Sequence, residues 1–308
     1  MPLVSFLEGQ IMADKYASYR IKNNILPYIF IVPALFMLIM LMVYPMFVII
    51  RYSLFDNVIT NPNPAFIGLK HYTTILKDKI FAQAFWHTIY FTVMSVIFHF
   101  LIGLCFAMLL NTRVNKTLRS VLRVFYIIPW VFTATIVAIL WRLILAPLGV
   151  MNFILRTFYI IQNYVEWFST SATALHTVTF VNIWAGYPFF MTSLLAGLQG
   201  IPQDMYEAAT IDGANRRQQF WSITLPHLAP IIMSISLLDF IWTMRVFPLI
   251  WAATGGGPGH STEVITTYTY KKAFTEFQYS AASAAAFIIL VVSMIMAFFY
   301  VRKQKVHG

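Results

Sequence analysis

Residues 25–50 form an unbroken run of 26 uncharged, mostly apolar side chains that closes at Arg51. About 20 such residues suffice for a helix to cross the roughly 30 Å hydrocarbon core of a bilayer, since a helix rises 1.5 Å per residue and pairs its own backbone groups. The pattern recurs. Residues 80–110 contain no Asp, Glu, Lys or Arg, and 124–141, 172–198, 227–253 and 277–301 give four more stretches. The sequence therefore predicts an all-α polytopic membrane protein with six transmembrane helices. Only 10% of the chain is charged and 59% is hydrophobic, whereas soluble domains carry about 25% charge. The net charge of +10 does not point to nucleic acid, because so few charges scattered between apolar runs build no basic face. Cys105 is the single cysteine, which excludes disulfides, thiolate clusters and redox pairs within the chain.

The basic residues set the orientation. Six spans place both termini on one side, and twelve of the 21 Lys and Arg fall on that side, in the tails and in the connections around 113–123 and 199–226. Eight lie in the three connections opposite, and Arg245 is inside a span. Short connections rich in Lys and Arg stay in the cytoplasm, so N-in, C-in is expected. Residues 1–24 then read as a cytoplasmic tail rather than a cleaved signal peptide, 25–302 as the membrane domain and 303–308 as a second tail. The connection 51–79 has room for turns and one short amphipathic helix. His87 and His99, each alone in an apolar run, are expected to be hydrogen-bonded to a neighbouring helix rather than to act as metal ligands or proton relays.

The cytoplasmic connection 199–226 contains Glu207-Ala-Ala-Thr-Ile-Asp-Gly213, followed by Ile223-Thr-Leu225-Pro226. Pro202 and Asp204 suit a helix start, supplying a preset backbone, acceptors for free amides and negative charge near the positive end, and Gly213 suits a helix stop. A surface helix of about three turns is predicted. It would present Met205, Ala208, Ala209 and Ile211 beside Glu207, small enough for a partner's groove to approach closely. Glu-Ala-Ala, three residues, Gly, nine residues, Ile, one residue, Leu-Pro resembles the EAA loop of binding-protein-dependent ABC importer permeases at every fixed position. Further similarity to the carbohydrate branch of that family, the maltose and glycerol-3-phosphate type, covers roughly residues 25–302. It rests on Phe66-Ile-Gly-Leu-Lys-His-Tyr72, Ile127-Ile-Pro-Trp130, Gly149-Val-Met-Asn152, Val181-Asn-Ile-Trp-Ala-Gly-Tyr-Pro188 and Thr254-Gly-Gly-Gly-Pro258.

The resemblance implies the type I ABC importer permease fold in a bacterial or archaeal cytoplasmic membrane. It also implies a second homologous permease subunit, two ATPase subunits that bind ATP and Mg, and an extracytoplasmic solute-binding protein that delivers a sugar-type substrate. Relative to the eight-span maltose-type member, two N-terminal spans and a large extracytoplasmic insertion are missing. Glu207, Ala208, Ala209, Ile211, Asp212 and Gly213 become the ATPase-coupling residues. Carried over position by position, the substrate pathway falls on Trp130, Ala134, Asn182, Ala185, Gly186, Phe189, Trp242, Thr243 and Val246. Rings that stack on sugar faces and an amide for hydroxyls make chemical sense of that set. No catalytic residue, metal site or cofactor of the chain's own is expected. Gly255-Gly-Gly-Pro-Gly-His-Ser-Thr262 lacks the Lys of a phosphate-binding loop, and the resemblance assigns it to the outer loop facing the solute-binding protein.

The competing class is a self-contained ion-coupled transporter, channel or intramembrane enzyme. It fits poorly, because Asp239 is the only carboxylate inside a predicted span and no paired catalytic spacing occurs. Asp239 and Arg245 are six residues apart, about 120° around a helix and about 9 Å along it, so they are not expected to pair with each other. Asp239 shares a face with Trp242, Thr243 and Val246, and Arg245 lies at its flank. One expectation is that Asp239 accepts sugar hydroxyls while Arg245 assists binding or orders the cavity. The other is that both meet partner groups across a permease heterodimer.

Overall fold

The computed structural model describes residues 28, 30–112 and 115–304. The expected N-terminal tail, Arg113 and residues 305–308 lie outside the described residues. Its regular structure is helical, with one isolated bridge between Phe55 and Phe66. In chain order the helices are α1 (Phe30–Ser53), α2 (Lys70–Lys77), α3 (Lys79–Asn111), α4 (Lys116–Val131), α5 (Ala134–Ile144), α6 (Val150–Thr157), α7 (Ser171–Gln199), α8 (Gln203–Ile211), α9 (Arg216–Met244), α10 (Pro248–Thr254), α11 (Ile265–Phe274) and α12 (Tyr279–Gln304).

Five of these, α1, α3, α7, α9 and α12, are each long and apolar enough to cross a membrane, and the bent pair α4–α5 makes a sixth span when counted as one. The expected third span, 124–141, is thus this bent pair rather than one continuous helix. The helix bends by 99° between Val131 and Ala134. Pro129 sits in the last turn of α4, where its missing N–H leaves the carbonyl four residues back unpaired. Phe132 and Thr133 are extended, and the Thr133 hydroxyl then caps α5 by accepting from the Ile136 amide at 3.5 Å.

The expected fifth span, 227–253, also ends early, at Met244. Pro248 disfavours helical backbone at Phe247, which adopts φ −121 and ψ −52. The chain breaks over Arg245, Val246 and Phe247 and resumes as α10. Proline has a gentler effect elsewhere. Just before Pro45 in α1 and Pro226 in α9, the ladder widens to π-turns at Ile39–Val43 and Phe220–Thr224, absorbing the lost donor without a break.

The centre of the fold is the α3–α7 pair. The two backbones approach so closely that a Cβ on Gly103 would lie 2.4 Å from the Phe190 Cβ and 2.9 Å from the Met191 amide nitrogen. Small residues at such crossings replace the hydrophobic drive that helices lack in lipid. Around this pair lie three apolar clusters. One joins Phe91, Trp141 and Leu249, a second Ala107, Phe190 and Leu228, and a third Phe81, Tyr268 and Ala284. By contrast α1, which packs along α12, has no buried residue in its most apolar window. Ser53 at its end is buried and shares a 2.7 Å hydrogen bond with the Tyr72 hydroxyl of α2.

Gly103→Ala pushes a methyl group into backbone that cannot yield, so it is expected to destabilise the purified protein by about 1–3 kcal/mol. Thermal unfolding in detergent checks this, and an unchanged midpoint would remove the α3–α7 crossing from the centre of the fold.

Candidate functional site: an aromatic strip, a buried ion pair and a capped surface helix

The first part of the site lies where α4, α7 and α9 converge. The rings of Trp130 and Phe189 are 6.1 Å apart, and those of Phe189 and Trp242 are 5.5 Å apart. Trp130 and Trp242 are each about half exposed, so three helices present one aromatic strip. Ala134, exposed at the start of α5, lies just beyond the bend. The other expected pathway residues turn elsewhere. Ala185 and Val246 pack against the cluster around Trp141, and Asn182 and Thr243 are buried.

What buries them is a polar cluster that sequence reasoning only half found. His99 on α3 is 1% exposed. Its Nδ1 lies 2.7 Å from Asp239 Oδ2, and its Nε2 lies 3.0 Å from the Asn182 backbone oxygen. That carbonyl can only accept, so Nε2 carries a hydrogen. The Thr243 hydroxyl donates to the other Asp239 oxygen at 3.4 Å, and the Asn182 amide donates to the Ser95 hydroxyl at 2.9 Å. Gly186 makes room, since a Cβ there would fall 2.3 Å from the imidazole. Both carboxylate oxygens of Asp239 thus have partners within its own chain. Its partner is an imidazole of its own chain, as expected for His99, and the clue in the sequence was a titratable residue in each of two apolar spans. Arg245, in contrast, is exposed and has no hydrogen bond or ion pair among the described residues.

The second part of the site is α8. Pro202 is its N-cap, and no side chain caps it, so Asp204 supplies charge in the first turn but not the expected hydrogen bond. At the far end the Gly213 amide donates to Thr210 O at 3.1 Å and the Ala214 amide to Ala209 O at 2.8 Å. That pair of bonds is the Schellman stop, and it needs the left-handed φ of +81 that Gly213 adopts. Glu207, Ala208, Ile211, Asp212 and Gly213 are exposed, Ile211 to 87%. Ala209 instead packs inward with Tyr206, whose hydroxyl meets Thr224 Oγ1 of α9 at 2.9 Å. Gln219 donates to Thr210 Oγ1 at 2.9 Å, so α8 is fixed to the first turns of α9.

At the opposite end of α9, the glycine-rich loop is held rather than loose. Glu263 is fully buried, and its Oε2 accepts from Lys271 Nζ and lies 3.0 Å from His260 Nδ1. A Cβ on Gly256, whose φ is +88, would fall 2.7 Å from that oxygen. Nearby, burial first, and then the Tyr268 hydroxyl's bond to Asp78 at 2.8 Å, push the Tyr268 phenol above its ordinary range, so it remains a donor. Another buried hub is Asn152, whose amide donates to the Ala146, Pro147 and Val165 carbonyls and whose oxygen accepts from the Trp167 indole.

Residues 99–305 match the family of binding-protein-dependent transport system inner membrane components. The chain belongs to that family. It is 34% identical over 278 residues to the trehalose/maltose transport system permease protein MalF of Thermococcus litoralis, covering 90% of this chain and 92% of that one. It is 27% identical over 288 residues to the sn-glycerol-3-phosphate transport system permease protein UgpA of Escherichia coli, covering 92% and 96%. Its fold superposes on a chain of the crystal structure of a bacterial ABC transporter that imports the acidic polysaccharide alginate, with TM-score 0.81, 25% identity and coverage of 93% and 97%. The protein is thus an ABC importer permease.

His99→Phe would strand the Asp239 carboxyl in the interior, and removing one partner of a buried pair costs about 3–5 kcal/mol. In Asp239→Asn the amide donates to the unprotonated Nδ1 of a neutral imidazole, which leaves every group paired. Thermal unfolding of purified variants should therefore show a large loss for His99→Phe and a small one for Asp239→Asn. Equal losses would mean that the charge, rather than the pairing, stabilises this region.

Proposed function

We propose that this chain forms half of the translocation pathway of an ATP-driven importer for a sugar or sugar derivative, with a second permease subunit forming the other half. The observation that carries this reading is the placement of the aromatic strip and the exposed α8 at opposite ends of one helix, α9. Trp130, Phe189 and Trp242 offer ring faces of the kind sugars stack on. Ala134 borders the strip, while Asn182, Ala185, Gly186, Asp239, Thr243 and Val246 shape it from behind. Arg245 stands at the edge. The relatives named for trehalose, maltose and glycerol 3-phosphate, and the alginate importer, support a carbohydrate-type cargo.

In this reading Glu207, Ala208, Ile211, Asp212 and Gly213 dock into one of two partner ATPases, which supply the ATP and Mg chemistry. Ala209 and Tyr206 transmit the motion into α9. The glycine-rich loop meets an extracytoplasmic solute-binding protein, and both termini are cytoplasmic. A structure of the alginate importer with its loaded periplasmic protein supports that kind of partner.

The docking role is tested in proteoliposomes holding the complete complex. At Gly213 a side chain would meet nothing within 4 Å in this chain, so Gly213→Leu carries only the roughly 1–2 kcal/mol of a left-handed backbone while obstructing the docking face. Gly213→Leu and Glu207→Ala should assemble normally and lose most of the ATPase stimulation given by loaded solute-binding protein. Full stimulation would reduce α8 to a connector.

Orientation has a separate test. On a Cys105→Ala background, a cysteine at position 304 should react with membrane-impermeant thiol reagents only from the cytoplasm, and one at position 260 only from outside. Reaction of both from the same face would overturn the N-in, C-in arrangement.

A further inference from the structure

Where α9 ends, an open groove of about 490 Å³ runs between α1, α11 and α12. Its walls include Met46 and Ile49 of α1, Tyr270 and Phe274 of α11, and Phe287 and Leu290 of α12. Three of the hydroxyls that reach it are already committed. Thr266 donates to Val246 O, Thr269 to Ile265 O and Ser293 to Ile289 O. The rest of these walls is mostly apolar, and a hydrocarbon chain needs no hydrogen-bonding group from them.

One group in the groove does call for a ligand. Arg245 lines it with five donors and no hydrogen bond or ion pair among the described residues. Two other arginines on this side of the molecule are engaged, Arg142 with the Ala252 carbonyl and Arg156 over the Tyr164 ring. Beside Arg245, the rings of Phe247, Trp251 and Tyr270 stack with centroids 4.5–5.5 Å apart, and aromatic clusters of this kind sit at the headgroup level of a bilayer. The α12 residues lining the groove, from Ala286 to Ser293, lie about 10 to 21 Å below Tyr279, the first residue of that helix. The lining on this helix is thus about 11 Å long, shorter than the roughly 15 Å depth of one leaflet's hydrocarbon.

The geometry points to a binding site for an anionic phospholipid, its phosphate on the Arg245 guanidinium and one acyl chain lying in the groove between α1 and α12. An Arg guanidinium forks onto phosphate oxygens in two parallel bonds, which a choline headgroup's neighbouring cation weakens and a glycerol headgroup does not.

Native mass spectrometry of the detergent-purified permease complex, titrated with palmitoyl-oleoyl phosphatidylglycerol or phosphatidylcholine, tests it. The wild type should prefer phosphatidylglycerol by about fivefold, the worth of one well-placed basic residue. Arg245→Met, of similar length and uncharged, should erase the preference. Ala286→Phe, which fills the groove and leaves Arg245 in place, should weaken both lipids. Equal binding of the two lipids by the wild type, or an unchanged preference in Arg245→Met, would overturn the site. Loss of binding in Arg245→Met with none in Ala286→Phe would show an anion site that takes no acyl chain. Should the assembled complex bind neither lipid here, and Arg245→Glu lose its partner permease until an opposite charge is placed on that subunit, the groove is a subunit interface instead.

Discussion

A carboxyl and an imidazole enclosed among apolar helices hold this molecule to one arrangement. In lipid, apolar side chains gain little by leaving one another, so helices associate through close packing and through polar groups that have nowhere else to go. His99 and Asp239 are such groups, and because His99 also bonds the Asn182 carbonyl, the contact engages three helices at once. Phe189 lies seven residues, about two turns, beyond Asn182 on α7, and Trp242 one turn beyond Asp239 on α9. The two rings that meet at 5.5 Å are therefore carried on elements whose spacing the buried pair sets.

Much of this architecture was legible as length and composition. A stretch of 20 or more uncharged residues has one stable form in a bilayer, so α1, α3, α7 and α12 were visible without any knowledge of their contacts. The failures have a common cause. Residues 124–141 and 227–253 each read as one apolar run, yet each contains a place where proline chemistry ends a helix, Pro129 with the Thr133 cap and Pro248 with its effect on Phe247. Hydropathy does not register a missing N–H. Pro45 and Pro226, which cause only π-turns, show that the outcome also depends on whether neighbouring turns can widen.

The site was legible to a lesser degree. Gly213 as the helix stop followed from local chemistry, and its Schellman bonds are local too. Ala209 pointing inward, Asp204 capping nothing and Asp239 closing on His99 all depend on what lies across from them, over separations as large as 140 residues. Spacing within one helix says which residues share a face. Only the packed structure says what that face meets.

The near-total exposure of α1 bears on how the chain is made. Its partner along the membrane is α12, the last helix to leave the ribosome, and at 5–20 residues per second roughly 10 to 50 seconds separate the two. Throughout that interval the apolar length of α1 waits for the helix of this chain that packs along it. Its uniformly apolar sides, with no stripe reserved for burial, suit a helix that must be stable alone in the bilayer before it has anything to rest against.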